Sequence, residues 1–234
     1  MAQPFERYHT SQDILTAQTQ ATDKLWATYR WMSMGLAITA LVALMVANTP
    51  EITHVLFSNR ILFFSLMIVQ FGMVIAFSAV AARASTLVAA SMFFLYSAIT
   101  GITFSSIFLV YTQSSIAQAF FITAGSFAAL SFYGATTHRQ LGALGHFLFM
   151  GLIGLILASI VNIFLHNPAI YWITTYAGVL IFAGLTAYDT QKLRTLYATH
   201  DSNNATLIGA LVLYLDFINL FLFILRIVGG RRRD

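Results

Sequence analysis

The sequence predicts an all-α fold, a polytopic membrane protein built as a seven-transmembrane-helix bundle. Two observations predict it. Hydrophobic residues make up 59% of the chain and charged residues only 9%, whereas a soluble domain carries about 25% charged residues. The apolar residues also fall into seven runs, each about the length a helix needs to cross the ~30 Å hydrocarbon core. A chain of 234 residues leaves little for a separate soluble domain.

Taken in order, the first thirty residues are polar and charged, with Glu6, Arg7, Asp13, Asp23, Lys24 and Arg30. They lack the apolar core and small-residue cleavage site of a signal peptide, so 1–30 reads as a polar N-terminal tail. The transmembrane domain follows over 31–228, with apolar runs at about 31–47, 61–82, 87–111, 116–136, 144–165, 171–193 and 207–228. Residues 229–234 form a basic C-terminal tail. Turn-forming residues separate the runs: Asn48-Thr49-Pro50, Ser85-Thr86, Thr112 to Ser115, Thr137 to Gln140, Asn167-Pro168 and Asp201 to Asn204. Small residues, among them Ala124, Ala128, Gly151, Gly154, Gly178, Gly184 and Gly209, allow close helix approach.

Composition also excludes several functions. Without cysteine there is no disulfide framework and no thiolate metal site. His54, His138, His146 and His166 are too scattered for a metal cluster. The net charge of +4 sits at span ends with no aromatic-rich polar platform beside it, so the expected contact is the lipid bilayer and not nucleic acid. No cofactor is implied. If all seven runs cross, seven basic residues share the side of the N-terminus and five lie opposite, which favours a cytosolic N-terminus. If the last run were re-entrant, the ratio would be eleven to one. The compact tails point to a bacterial inner membrane.

Two residues break the apolar pattern. Asp189 lies in the sixth run and Asp216 in the seventh, and an aspartate at the centre of a membrane helix costs about 2.5–3.5 kcal/mol, which marks a functional site. The turn at Asp201 to Asn204 lies midway between them in sequence. In an antiparallel hairpin both carboxyls then stand about 13 residues, roughly 20 Å, from the turn and face each other just inside the boundary. Two carboxylates in one low-dielectric site cannot both ionise comfortably, so such a pair holds one proton and titrates as a unit. A local alternative pairs Asp189 with Lys192 one turn on and satisfies Asp216 with Asn219.

The segments GLTAYDTQKL (184–193) and LYLDFINLFLFILRI (213–227), with GIT at 101–103, resemble the Bax inhibitor-1 family of seven-helix membrane proteins. The resemblance implies a bundle whose last helix is central and a pH-sensitive leak of calcium ions. It also implies that Asp189 and Asp216 are the pH-sensing pair, offering oxygen contacts to the transported calcium, and that Arg83, at the end of the second span, is a basic latch onto them. Where bacterial relatives can carry a glutamate in that span, this chain has Gln70 and Gly72.

Two other functions compete. A non-conducting regulator that binds a membrane-protein partner, such as a protease, is compatible with the same apolar faces. An intramembrane aspartyl protease also uses two carboxyls sharing a proton. Here, however, Tyr214-Leu215 precedes Asp216 in place of a Gly-x-Gly, and the only Pro-Ala pair, at 168–169, lies far upstream. The expectation is that the chain is not an enzyme.

Overall fold

The computed structural model describes residues 11–199 and 204–230, with side chains from residue 15. The described residues form eight α-helices: α1 (Ser11–Ala47), α2 (Pro50–Ser58), α3 (Arg60–Val80), α4 (Thr86–Val110), α5 (Gln113–Thr136), α6 (Gly142–Leu165), α7 (Pro168–Thr199) and α8 (Ala205–Val228). Seven of them, all but the short α2, are long and apolar enough to cross a membrane.

The helices start where the turn residues fall. Asn59 Oδ1 accepts from Ile61 N and Leu62 N at 3.1 and 3.2 Å and caps α3. Ser85 Oγ accepts from Val88 N to cap α4, and Thr112 Oγ1 accepts from Ser115 N to cap α5. These bonds satisfy amide groups that the first helical turn leaves open. Asn167 Oδ1 does the same for α7, taking Ala169 N at 2.8 Å.

The boundary expected at residue 30 has no counterpart in the helix. α1 runs unbroken from Ser11 to Ala47, and Ala21, Leu25, Thr28 and Met32 are buried along one stripe of it. Their spacing of three and four residues is that of a helix face. Thr28 hydroxyl meets Tyr197 hydroxyl at 2.7 Å, and Tyr197 donates to Ala205 O at 3.1 Å, joining α1, α7 and α8. Residues 1–10 of the tail, Asp201 to Asn203 of the turn and the basic residues Arg231 to Arg233 lie outside the described residues.

α8 is the centre of the bundle. It packs on α1, α5, α7 and α4, and 72% of its most apolar window is buried. α6 packs chiefly on α7, and α3 on α4. Small residues set two of the closest approaches. Gly134 on α5 lies against the backbone of Ala187 on α7, and Gly209 on α8 lies under Tyr197 and Leu193. A side chain at either place would push the helices apart. Gly178 and Gly184 are also packed, against Phe223 and Leu148, whereas nothing lies over Gly154.

Two ties fix the course of α8. Asn204 Nδ2 donates to Ala81 O and Ala84 O, both at 2.9 Å, so α8 begins beside the α3–α4 turn. Thr112 N donates to Gly230 O at 3.2 Å and Gly230 N to Ser115 Oγ at 2.9 Å, so α8 ends beside the α4–α5 connection. Those two connections lie at opposite ends of α4. α8 therefore traverses the bundle, and the re-entrant alternative is set aside. The end that holds Arg83, Arg139 and Arg194 is called the basic end below, the other the far end.

Candidate functional site

α7 and α8 form an antiparallel hairpin in which residues equidistant from the turn meet. Tyr197 bonds to Ala205, Leu193 lies against Gly209, and Phe182 stacks on Phe223 at 5.9 Å between ring centroids. The same pairing brings Asp189 to Asp216. The two carboxyls are close enough to interact directly.

Asp216 is 5% exposed and stands near the midpoint of α8, about 17 Å from either end at 1.5 Å per residue. That distance is close to the roughly 20 Å from the turn expected from the sequence. Asp189 is half-buried. Asp216 Oδ2 is buried, and no protein N–H or hydroxyl among the described residues reaches it. A hydrogen bond between two such carboxyl groups needs a proton on one of them.

Both aspartates line a cavity of about 950 Å³ bounded by α3, α6, α7 and α8, with one tyrosine from α4. Apolar side chains such as Phe71, Phe149 and Ile160 make most of its wall. Its polar groups are few: Gln70, Tyr96, His146, Ser159, Tyr188, Lys192 and Asn219 accompany the pair. Gln70 donates to Ile99 O at 3.0 Å and to Thr103 Oγ1 at 2.7 Å, tying α3 to α4.

Lys192 lies one turn from Asp189, interacts with it electrostatically, and sits 5.7 Å from the centre of the Tyr188 ring. Asn219 Nδ2 donates to Leu215 O at 2.8 Å. The local alternative is therefore half realised: Lys192 attends Asp189, and the partner of Asp216 is Asp189. Arg83 is exposed in the α3–α4 turn and does not line the cavity. That turn is fastened to Asn204, at the foot of α8, so in this structure Arg83 marks the basic end while the pair lies mid-bundle. Among the described residues no group of three or more histidines and carboxylates gathers to hold a metal.

Behind the pair, on the side of α1 and α5, is a hydroxyl layer that the sequence reading did not single out. Tyr29 hydroxyl meets Thr190 Oγ1 at 3.3 Å, and Thr190 donates to Ser131 Oγ at 3.5 Å. Thr190 is the residue after Asp189. A second layer joins α8 to α1 and α4: Tyr214 hydroxyl meets Thr39 Oγ1 at 2.6 Å, and Thr39 donates to Ser97 O at 2.9 Å. The hydroxyls of α4 bond to its own backbone, with Ser97 donating to Phe93 O and Thr100 to Tyr96 O.

The family model described as "Inhibitor of apoptosis-promoting Bax1" matches residues 23–233. The chain is 47% identical to "Inner membrane protein YbhL" of Escherichia coli (strain K12), covering 97% of this chain and 100% of that protein. It is 44% identical to an uncharacterized protein of Borreliella burgdorferi over 87% of this chain and 90% of the relative. It is 34% identical to an uncharacterized membrane protein of Streptococcus pyogenes serotype M1, over 86% and 90%. The chain is a multi-pass membrane protein and belongs to the Bax inhibitor-1 family.

Proposed function

We propose that this protein is a pH-sensitive calcium leak channel whose gate is the Asp189–Asp216 pair. The observation that carries the reading is a pair of neighbouring carboxyls, one of them buried at the middle of the central helix, opening on a 950 Å³ cavity. With a shared proton the pair fastens α7 to α8 and α8 plugs the path. Loss of that proton replaces a bond by repulsion between two like charges. The two helices separate, and the freed oxygens become hard ligands for a passing cation. Asn219 and Gln70 add amide groups to the same cavity. Two carboxyls are few for a resident ion that takes 6–8 oxygens, which suits an ion in transit. The reading assigns the carboxyls no bond to break, and so no enzymatic role.

Flux then falls on acidification and rises as pH rises through the titration of the pair, by up to about tenfold per pH unit below its midpoint because one proton is released. In the Asp216→Asn variant an amide donates permanently to Asp189, so flux stays low and flat with pH. Calcium entry into liposomes loaded with a fluorescent indicator tests this, and a wild-type pH profile in Asp216→Asn would sink the proposal. Arg83→Ala examines the latch. A rise in flux at every pH, with the profile unmoved, is expected for a residue that restrains the basic end. Isolated protein that passes no ion at any pH, yet retains a stoichiometric membrane-protein partner, would favour the regulator.

The name of the Escherichia coli relative supports placement in a bacterial inner membrane. Arg83 and Arg139 in the α3–α4 and α5–α6 connections, with Lys192 and Arg194 near the end of α7, support a cytosolic basic end, and with it a cytosolic N-terminus.

A further inference from the structure

On the face of the α7–α8 hairpin turned away from the aspartates, α1 and α5 flank α8 without extensive packing on each other. A cleft runs between them along the bundle. Its two halves share Leu36, Phe120 and Phe217. The half toward the basic end holds about 670 Å³ and is lined on α1 from Thr22 to Leu36 and on α5 from Phe120 to Thr136. Those stretches rise about 21 and 24 Å. One leaflet of hydrocarbon is ~15 Å deep, so this groove spans a leaflet and reaches past its surface.

The groove is mostly apolar, with the hydroxyls of Tyr29, Ser33 and Ser131 along its wall and a charge at its outer end. There Arg194 is half-buried and gives one N–H to Ala135 O, at the last turn of α5. A guanidinium has five donors, and among the described residues no carboxylate lines the groove to meet the others. Trp26, 65% exposed, stands at the same end. The far half of the cleft, about 510 Å³, has no charged residue among the described residues that line it. The two halves thus ask for different occupants. A neutral lipid would fill the basic half and leave its charge unmet, and a free phosphate would meet the charge and leave the groove unfilled.

We propose that the basic half of the α1–α5 cleft binds an anionic glycerophospholipid. Its phosphate sits on Arg194 by charge-assisted hydrogen bonds, Trp26 lies at headgroup level, and one acyl chain runs between α1 and α5 to Phe217. Basic pockets between helices at the cytoplasmic surface hold anionic headgroups in this manner. The acyl chain ends against the neighbour of Asp216. Tyr29, on the wall of the groove, bonds to Thr190, the neighbour of Asp189. Occupancy therefore bears on the helices that carry the pair from their other side. The site does not depend on the ion-leak reading.

The test uses full-length protein with Trp31→Phe and Trp172→Phe, which leaves Trp26 as its one tryptophan of three. It is reconstituted in phosphatidylcholine vesicles containing a minority of acyl-brominated phosphatidylglycerol, or the same amount of acyl-brominated phosphatidylcholine. Brominated phosphatidylglycerol is expected to quench Trp26 about fivefold more efficiently, the enrichment that one basic residue gives at a membrane surface. Arg194→Gln abolishes the difference. Ala128→Phe, which fills the groove and leaves Arg194 in place, abolishes it too. Arg139→Gln, which removes an equal charge from the same end outside the groove, keeps it, as does excess inorganic phosphate in the buffer. Equal quenching by the two lipids overturns the site. So does a preference that survives Arg194→Gln or Ala128→Phe, that is lost in Arg139→Gln, or that yields to free phosphate.

Discussion

α3 and α8 are equally apolar and have opposite fates. Their most hydrophobic windows have the same mean hydropathy, yet 6% of that of α3 is buried and 72% of that of α8. In water such a pair would both be driven inside. In a bilayer the lipid is as apolar as leucine, and burial is decided by packing and by polar groups that need partners. α8 carries Asp216, Tyr214 and Asn219 together with Gly209, which lets α7 come close. α3 carries Gln70, and that residue is what ties it to α4. What separates a central helix from a peripheral one here is its small and polar minority.

Substitutions can break this contrast or sharpen it. The largest effect is expected from Gly209→Leu, whose side chain meets Tyr197 and Leu193. Overpacking of this kind costs about 1–3 kcal/mol or more, and the yield of monodisperse protein in detergent should collapse. A normal yield would mean that the α7–α8 contact yields easily and that α8 is less tightly held than its burial implies. Tyr214→Phe removes the hydroxyl bonded to Thr39. Interhelical hydrogen bonds in membranes average about 0.6 kcal/mol, so the midpoint of thermal unfolding should fall by about 2 °C. Ile68→Ala lies on α3 at 73% exposure and should change stability by less than about 0.5 kcal/mol. If Ile68→Ala cost as much as Tyr214→Phe, something other than lipid would have to cover α3.

Much of the site was legible because it breaks the apolar pattern. Asp189 and Asp216 are the acids of their spans, and the turn residues between them gave the pairing that Tyr197 to Ala205 and Leu193 to Gly209 now display. The basic minority around Arg83 located the end of the bundle but not a contact with the pair. The α1 extension escaped because its charged residues, Asp23, Lys24 and Arg30, hid a buried stripe of Ala21, Leu25 and Thr28. Helical spacing of that stripe was the available signal. The hydroxyl layer of Tyr29, Ser131 and Thr190 had none, since each residue is ordinary in its own span and only the crossing of α1, α5 and α7 joins them. Arg194 read as a topology marker for the same reason.

The midpoint position of Asp216 has an electrical meaning. Moving one elementary charge across the whole membrane is worth about 2.3 kcal/mol per 100 mV. A proton that reaches the pair from either side crosses about half of that drop, for about 1 kcal/mol, and a divalent cation about twice as much. Under the proposed gating, occupation of the two carboxyls is accordingly set by the resting voltage of the cell together with the proton concentration on the side that feeds them.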